Sequence, residues 1–416
     1  TPVRVILPDN AWEMGFSSFN TDARYSVAAI ARRTSVNNAV KKRYETVLPP
    51  DATVTYSIYG DIYEGKWQDG LRLMFRDRYL YDLYSFDDQL YKREDLRWIR
   101  KSYLIILQMA WDRQFHDRFS DSGGFTDFLT SYNKALGKID VFGIWPTWPR
   151  LGLDERNLWD LFRDLPGGLN SLRNISRIAK SGDTRFFIEY NPWDNSTRQQ
   201  DHLKGMADII AATEADGVVL DTRGSSTKEL QMTADSVRSG VVMFSEGMAV
   251  VKDMPGIISG RVHNALFLSP ELNLNKFIRP DFAIFRVCDV GEDVLHREIS
   301  VAFFNGYGTE LNLFRPGGRG DEYAEDLSYL AKTTFILRQN NDVFTGEDCT
   351  PLVSTLVDRA YVNMWKSGDK TIYTVLNMDH RGLDTALFEI NISDRQHLVS
   401  LWNHEELDPV MIKEKS

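Results

Sequence analysis

From residue 103 onward the chain alternates short apolar runs with longer helix-like stretches, at a spacing of about 30 residues. This rhythm restricts the fold more than any other feature. A short apolar run bounded by turn residues reads as a strand buried on both faces, and strands separated by helices build parallel βα units. The predicted strands are YLIILQMAWD (103–112), KIDVFGIWP (138–146), TRFFIEYNPWD (184–194), GVVLD (217–221), VVMFSE (241–246), ALFLS (265–269), DFAIFRV (281–287) and YGTELNLF (307–314). Helices are predicted over 126–136, after Pro166-Gly167-Gly168, over 198–214 and over 323–339. Eight such units predict an α/β fold, a (β/α)8 TIM barrel over residues 103–345, with 248–280 the stretch where the count is hardest to keep.

The flanks read differently. Residues 1–60 alternate loosely around the breakers Pro49-Pro50 and predict the end of an N-terminal β-rich domain. Residues 61–102 predict a linker helix region, because Trp67, Leu71, Met74 and Phe75 fall on one helical face. Residues 346–416, with strand-like runs joined at Ser367-Gly368-Asp369, predict a C-terminal β-sandwich. The opening TPVRVILPDN is not a signal peptide and reads as the middle of a β-domain, so a trimmed or partial chain is expected.

A formal charge of −10 opposes a nucleic-acid-binding surface, which needs a basic face. Cys288 and Cys349 cannot make a disulfide framework. No run of about 18 apolar residues predicts a membrane span. Zinc, calcium, Walker and GxGxxG signatures are absent, so neither a dedicated metal site nor a cofactor is expected.

Two of the predicted strands end in acids: Asp221 closes GVVLD and Glu246 closes VVMFSE. Active sites of parallel barrels lie at the carboxyl ends of the strands. Alternation along a strand places Asp221 on the face of Val219, and Glu246 on the face of Val242 and Phe244. If those faces line the interior, both carboxyls reach one cleft. Such a pair, about 5–5.5 Å apart, is what a retaining glycosidase uses as nucleophile and acid/base. The bland alternative for each acid is a helix cap, and Ser225 and Ser226 are better placed to cap the helix after Asp221.

Trp111, Trp145, Trp148 and Trp193 stand at predicted strand ends, where prolines stop the strands at WPTWP and NPWD, and are expected as sugar-stacking walls. Trp67, Trp98 and Trp159 read as core. Asp112, Asn191, Asp194, Arg223, Arg286, Asp289 and Asn312 complete the predicted rim and are expected to hold sugar hydroxyls, the alternative for Asp112 and Asp194 being salt bridges. His263 and His296 read as surface or packed residues in helical context.

With DGVVLDT and VVMFSEG in this arrangement, the chain resembles the retaining α-glycosidases built on α-galactosidase-like and α-amylase-like barrels. The resemblance implies a nucleophilic Asp221 ending strand four. In the α-amylase-like and endo-α-N-acetylgalactosaminidase-like branches it further implies Glu246 as acid/base ending strand five. GDIYEGKWQDGLRLMFRD is similar to the linker helix of that group, and RFFIEYNPWD to its substrate-binding third strand. Two departures mark a divergent branch. The amylase pattern carries Arg, and the α-galactosidase pattern Lys, two residues before the nucleophile, where this chain has Val219. The late His-Asp pair of the amylases has only RVCD (286–289) as a loose stand-in.

The expected function is hydrolysis of O-glycosidic bonds of an oligo- or polysaccharide with retention, without a cofactor. A secreted or periplasmic location follows from the resemblance alone. One rival is a metal-assisted lyase or isomerase using Glu189, Asp221 and Glu246, which predicts a bound divalent ion. The other is a catalytically silent carbohydrate-binding barrel.

Overall fold

The structure, a computed structural model, describes residues 3–7, 14–21, 24–41, 46–76, 86–116, 122–146, 156–191, 201–247, 253–263, 273–277, 279–290, 294–314, 323–393 and 395–410. Strands β1 (Val3–Leu7), β2 (Met14–Asn20), β3 (Tyr25–Asn37) and β6 (Thr53–Glu64) pair antiparallel in that order. The two-residue strands β4 (Val40–Lys41) and β5 (Thr46–Val47) form a small ladder beside them. Helix α1 (Trp67–Arg76) follows, with Leu71 and Met74 wholly buried and Trp67 packed on Phe16 at 6.4 Å between ring centres.

Eight parallel strands then close into a barrel: β7 (Leu104–Met109), β8 (Val141–Trp145), β9 (Arg185–Tyr190), β10 (Gly217–Leu220), β11 (Val242–Ser245), β12 (Ser259–Val262), β13 (Ala283–Asp289) and β14 (Gly308–Leu313). β14 pairs with β7, so no strand edge remains. Between and after the strands lie α2 (Arg113–His116), α3 (Ser122–Leu136), α4 (Leu158–Asp164), α5 (Gly168–Ser181), α6 (His202–Thr213), α7 (Lys228–Val237), α8 (Leu295–Phe304), α9 (Ala324–Gln339) and α10 (Asn341–Phe344). The chain is therefore an α/β TIM barrel.

The predicted rhythm holds for seven strands. The sixth is a correction: β12, SGRV, fills that place, whereas ALFLS at 265–269 lies outside the described residues. Helix α4 carries no counterpart in the prediction. The cap of α7 is Thr227, whose side chain accepts from Leu230 N–H, and not Ser225 or Ser226.

The interior has a readable parity. Phe187, Phe244 and Phe285 come from β9, β11 and β13, and their rings meet at 6.1 and 5.7 Å between centres. Side chains from alternate strands form such layers in parallel barrels. Gly217 and Gly308 make room for them, since a Cβ would stand 2.1 Å from the Phe187 ring and 2.6 Å from that of Phe285. Counting by twos from this layer points Glu189, Asn191, Asp221, Glu246, Arg261, Glu310 and Asn312 toward the barrel axis.

At the opposite, amino ends of the strands, acids have structural work. Asp140 accepts from the N–H groups of Tyr103 (2.8 Å) and Leu104 (2.9 Å) and pairs with Arg338 at 2.9 Å. After the barrel, β15 (Asp348–Thr350), β16 (Ala360–Ser367) and β17 (Lys370–Asn377) form an antiparallel sheet, and β18 (Leu398–Ser400) pairs with β19 (Glu405–Leu407). These sheets fit the expected C-terminal sandwich. Thr374 ties the larger one to the barrel layer by donating to Phe304 O at 2.8 Å while accepting from the buried Trp365 indole at 3.0 Å.

Candidate active site

β10 and β11 end side by side, and the turns that follow are joined. Gly247 N–H donates to Arg223 O at 2.9 Å, and Ser245 Oγ donates to Gly224 O at 2.6 Å. This fixes the acids that close the two strands relative to each other. Asp221 and Glu246 face one another with their carboxyls in hydrogen-bond contact. Both keep a path to solvent: Asp221 is 8% exposed and the Glu246 side chain 19%.

Each acid has its own set of partners. Asn191 Nδ2 donates to Asp221 Oδ2 at 2.6 Å, and Glu189 also meets the Asp221 carboxyl. Glu246 accepts from the Thr222 backbone N–H and pairs with the Arg261 guanidinium. Thr222 sits at φ 59°, a left-handed conformation that is a genuine outlier for a β-branched residue, and this turn aims its N–H at Glu246. Arg261 reaches on to Glu310 at 2.6 Å, and its guanidinium lies 5.2 Å from the centre of the Trp145 ring. Arg261 and Glu310 are both almost wholly buried, so the charges are paired inside the barrel, on strands either side of β13, where burial would otherwise be costly.

These contacts split the two acids electrostatically. Burial, reinforced by the hydrogen bond and charge of Glu246, pushes Asp221 up to about 7. Burial acts on Glu246 in the same sense, but the hydrogen bond from Asp221, the charge of Arg261 and the Thr222 N–H outweigh it and hold this carboxyl below its ordinary value. Between the two, these surroundings favour the proton on Asp221 and the charge on Glu246. Glu310 is raised by burial against the pull of Arg261. His263, immediately after β12, is lowered by burial and by Arg261. It belongs to this strand end rather than to a helix. His296, in contrast, lies exposed on α8 beside Asp326.

The predicted rim residues have several fates. Asn191 joins the acid pair. Asp289, half-buried, ends β13 on the inward face, and Asn312 stands two residues beyond Glu310 with its Oδ1 buried and without a protein hydrogen bond. Trp111 is half-buried on the rim, its indole donating to Pro146 O at 3.1 Å and stacked on His116. Arg223 is half-buried in the turn after Asp221. Three differ from expectation. Asp112 accepts from Phe115 N–H at 3.1 Å, which makes it a cap of α2. Trp145 is a strand residue, 1% exposed, beneath Arg261 rather than an open platform. Arg286 alternates with the inward Phe285, faces outward, and pairs with Glu298 of α8 at 2.5 Å. Trp148, Trp193 and Asp194 lie outside the described residues.

Sequence reasoning missed Arg261 and Glu310 as site residues and named Glu189 only in the metal-dependent rival. One signal was available: Ser259, Arg261 and His263 alternate at the strand period within the gap in the barrel rhythm. Among the described residues no group of three or more His, Cys, Asp or Glu side chains is arranged to hold a metal ion. The positive charge that the converging acids face is Arg261.

The closed parallel barrel, with helices between its strands, defines the (β/α)8 class of fold. No protein-family model and no curated protein sequence matches the chain. Among solved structures it is similar to an α-amylase from Lactobacillus plantarum, at 10% identity over 76% of this chain and 96% of that one, with a TM-score of 0.53. It is similar also to γ-CGTase from alkalophilic Bacillus clarkii, at 10% identity over 73% and 66% of the two chains, with a TM-score of 0.52. The α-galactosidase AgaA from Geobacillus stearothermophilus aligns with 95% of this chain and 66% of its own, at 12% identity and a TM-score of 0.49. At such identities the likeness is one of fold.

Proposed function

We propose that the protein is a retaining glycoside hydrolase acting on an oligo- or polysaccharide, with Asp221 and Glu246 as its two reacting groups. The observation that carries this reading is the acid pair itself: two carboxyls at neighbouring strand ends, facing one another and both reachable from solvent, with Asp221 pushed up and Glu246 held down by their surroundings. One ionised and one protonated carboxyl is the state a double displacement starts from. The solved structures named above include an α-amylase and a γ-CGTase, which agrees with the reading and favours an α-linked substrate.

A glycoside entering between the carboxyls breaks their direct hydrogen bond. Asn191 keeps its bond to Asp221 and steadies it as an anion, while the proton passes to Glu246. Asp221 then bonds to the anomeric carbon as the glycosidic C–O bond breaks and Glu246 protonates the departing oxygen. In the second half, water bonds to the same carbon, Glu246 takes its proton, and the ester to Asp221 is released. Asn312 Oδ1 and Asp289 are available on the inward face for sugar hydroxyls.

A second reading exchanges the two roles, and one observation favours it. Arg261 and the Thr222 N–H hold Glu246 ionised, as a nucleophile should be. Azide rescue separates the two with an activated aryl glycoside. Alanine in place of the nucleophile yields a glycosyl azide of inverted configuration, and alanine in place of the acid/base yields the retained anomer. Inverted product from Asp221→Ala supports the first assignment, and from Glu246→Ala the second. Undiminished hydrolysis in both variants defeats the hydrolase reading, and turnover abolished by EDTA without release of sugar points to the metal-dependent lyase.

A further inference from the structure

Away from the barrel mouth, a cleft of about 680 Å³ opens between the N-terminal sheet with the start of α1 on one side and the C-terminal sheet on the other. Its volume lies within the range of about 300–1,000 Å³ usual for small-molecule sites. It shares no residue with the acid pair.

The lining has an unusual mix of groups. Trp67 and Tyr373 are half-buried aromatic residues contributed by opposite sides, each steadied from behind, by Phe16 at 6.4 Å and by Phe388 at 5.1 Å. Gln68 is 7% exposed. Its Nε2 donates to the carbonyls of Pro351 (3.0 Å) and Leu352 (3.1 Å), which fixes the orientation of the amide. Its Oε1 is left buried without a protein partner. A buried acceptor in that condition is uncommon in folded proteins. Lys66, Lys366, Glu389 and Asn391 line the exposed parts of the cleft, and their side chains make no hydrogen bond or ion pair among the described residues.

We propose that this cleft is a second carbohydrate site, taking a short neutral oligosaccharide. Aromatic faces suit the C–H faces of sugar rings, and the Asn391 amide with the neighbouring Glu389 and lysine side chains suits hydroxyls, which both donate and accept. An anion site would not carry Glu389 among its lysines, and an apolar ligand would leave the ionic groups of the cleft desolvated without partners. The inference rests on the lining alone and stands whether or not the barrel is a hydrolase.

The test is calorimetric titration of the full chain, carrying Glu246→Gln so that hydrolysis in the barrel cannot consume the ligand. The probes are maltotriose, raffinose, mannotriose and chitotriose, each up to about 10 mM. At least one is expected to bind. The exposed pair Glu389→Ala/Asn391→Ala, which disturbs no core contact, is expected to weaken that binding roughly fivefold, and Tyr373→Ala by about tenfold or more. Absence of binding by all four probes overturns the proposal. So does binding that both variants leave unchanged, which would place the sugar in the barrel. Trigalacturonate is titrated as an anionic control, and binding confined to it overturns the proposal too, in favour of an anion site at the two lysines.

Discussion

Arg261→Met is the most informative single perturbation, because it removes the guanidinium that both Glu246 and Glu310 face. Two unit charges about 4 Å apart at an effective dielectric of about 20 interact by about 4 kcal/mol. The Glu246 side chain is only 19% exposed, so solvent replaces this attraction poorly. Removing one partner of a buried pair costs roughly 3–5 kcal/mol. The pH dependence carries the sign. In the native protein Glu246 is held below its ordinary value, so its contribution to stability is present at neutral pH and is lost as pH falls through the lowered value. Without Arg261, burial prevails, the carboxyl rises above its unfolded value, and stability instead declines as pH rises toward 7. The gap in unfolding free energy between wild type and variant is therefore widest near pH 7 and narrows toward pH 4, as urea titrations at both pH values will measure. In kcat/KM against pH, the acid limb moves upward by about one pH unit or more, since one such unit corresponds to about 1.4 kcal/mol. Arg261→Lys, which keeps the charge but loses the fork, moves it less. A constant gap together with an unmoved acid limb would refute the assignment of Arg261 as the residue that keeps Glu246 ionised.

Arg286→Ala tests the opposite expectation. It removes a buried partner of Glu298, so stability falls by about 3 kcal/mol, somewhat relieved by Arg297 at 2.5 Å from the same carboxylate, while kcat/KM of the folded protein stays within about twofold. A large kinetic loss at unchanged stability would return Arg286 to the sugar site. Asp221→Asn is expected to stabilise. The Asp221 carboxyl is raised to about 7, so its favourable contribution is present at low pH and lost as pH rises through that value. The variant should exceed wild type by about 1–3 kcal/mol at pH 8 and by less at pH 5, and equal gaps at the two pH values would contradict the burial argument.

What was legible in the sequence follows from where the information is stored. Strands β10 and β11 were readable because both faces are buried, giving apolar runs that stop at an acid. β12 was not, although all four of its residues are buried. Its interior positions are Ser259 and Arg261, and the burial of an arginine there makes sense only beside Glu246 and Glu310, the latter 49 residues further along the chain. Arg286 failed for a related reason. In a strand covered on both sides no letter distinguishes the face toward the axis from the face toward α8, and only the ring of Phe187, Phe244 and Phe285 settles it. Asp112 and Asp221 look alike as strand-end acids. One caps a short helix while the other meets a second carboxyl, a difference made by neighbours remote in sequence.

The same parity shows which strand supplies the positive charge of the site. Two residues before Asp221 the inward position is Val219, 1% exposed, and the positive charge comes from Arg261 on the sixth strand. This placement has a consequence. A charge on the acid's own strand would bear chiefly on Asp221, whereas a charge on the strand next to β11 bears chiefly on Glu246, which its guanidinium contacts directly. Burial and the charge of Glu246 accordingly push the Asp221 carboxyl up, while Arg261 helps to hold Glu246 down. Moving the cation to β10, by Val219→Arg together with Arg261→Met, should transfer the proton toward Glu246. The infrared carboxyl band of a chain with labelled glutamate would then shift from carboxylate to protonated acid at pH 6, and an unchanged band would show that the location of the cation does not decide where the proton sits.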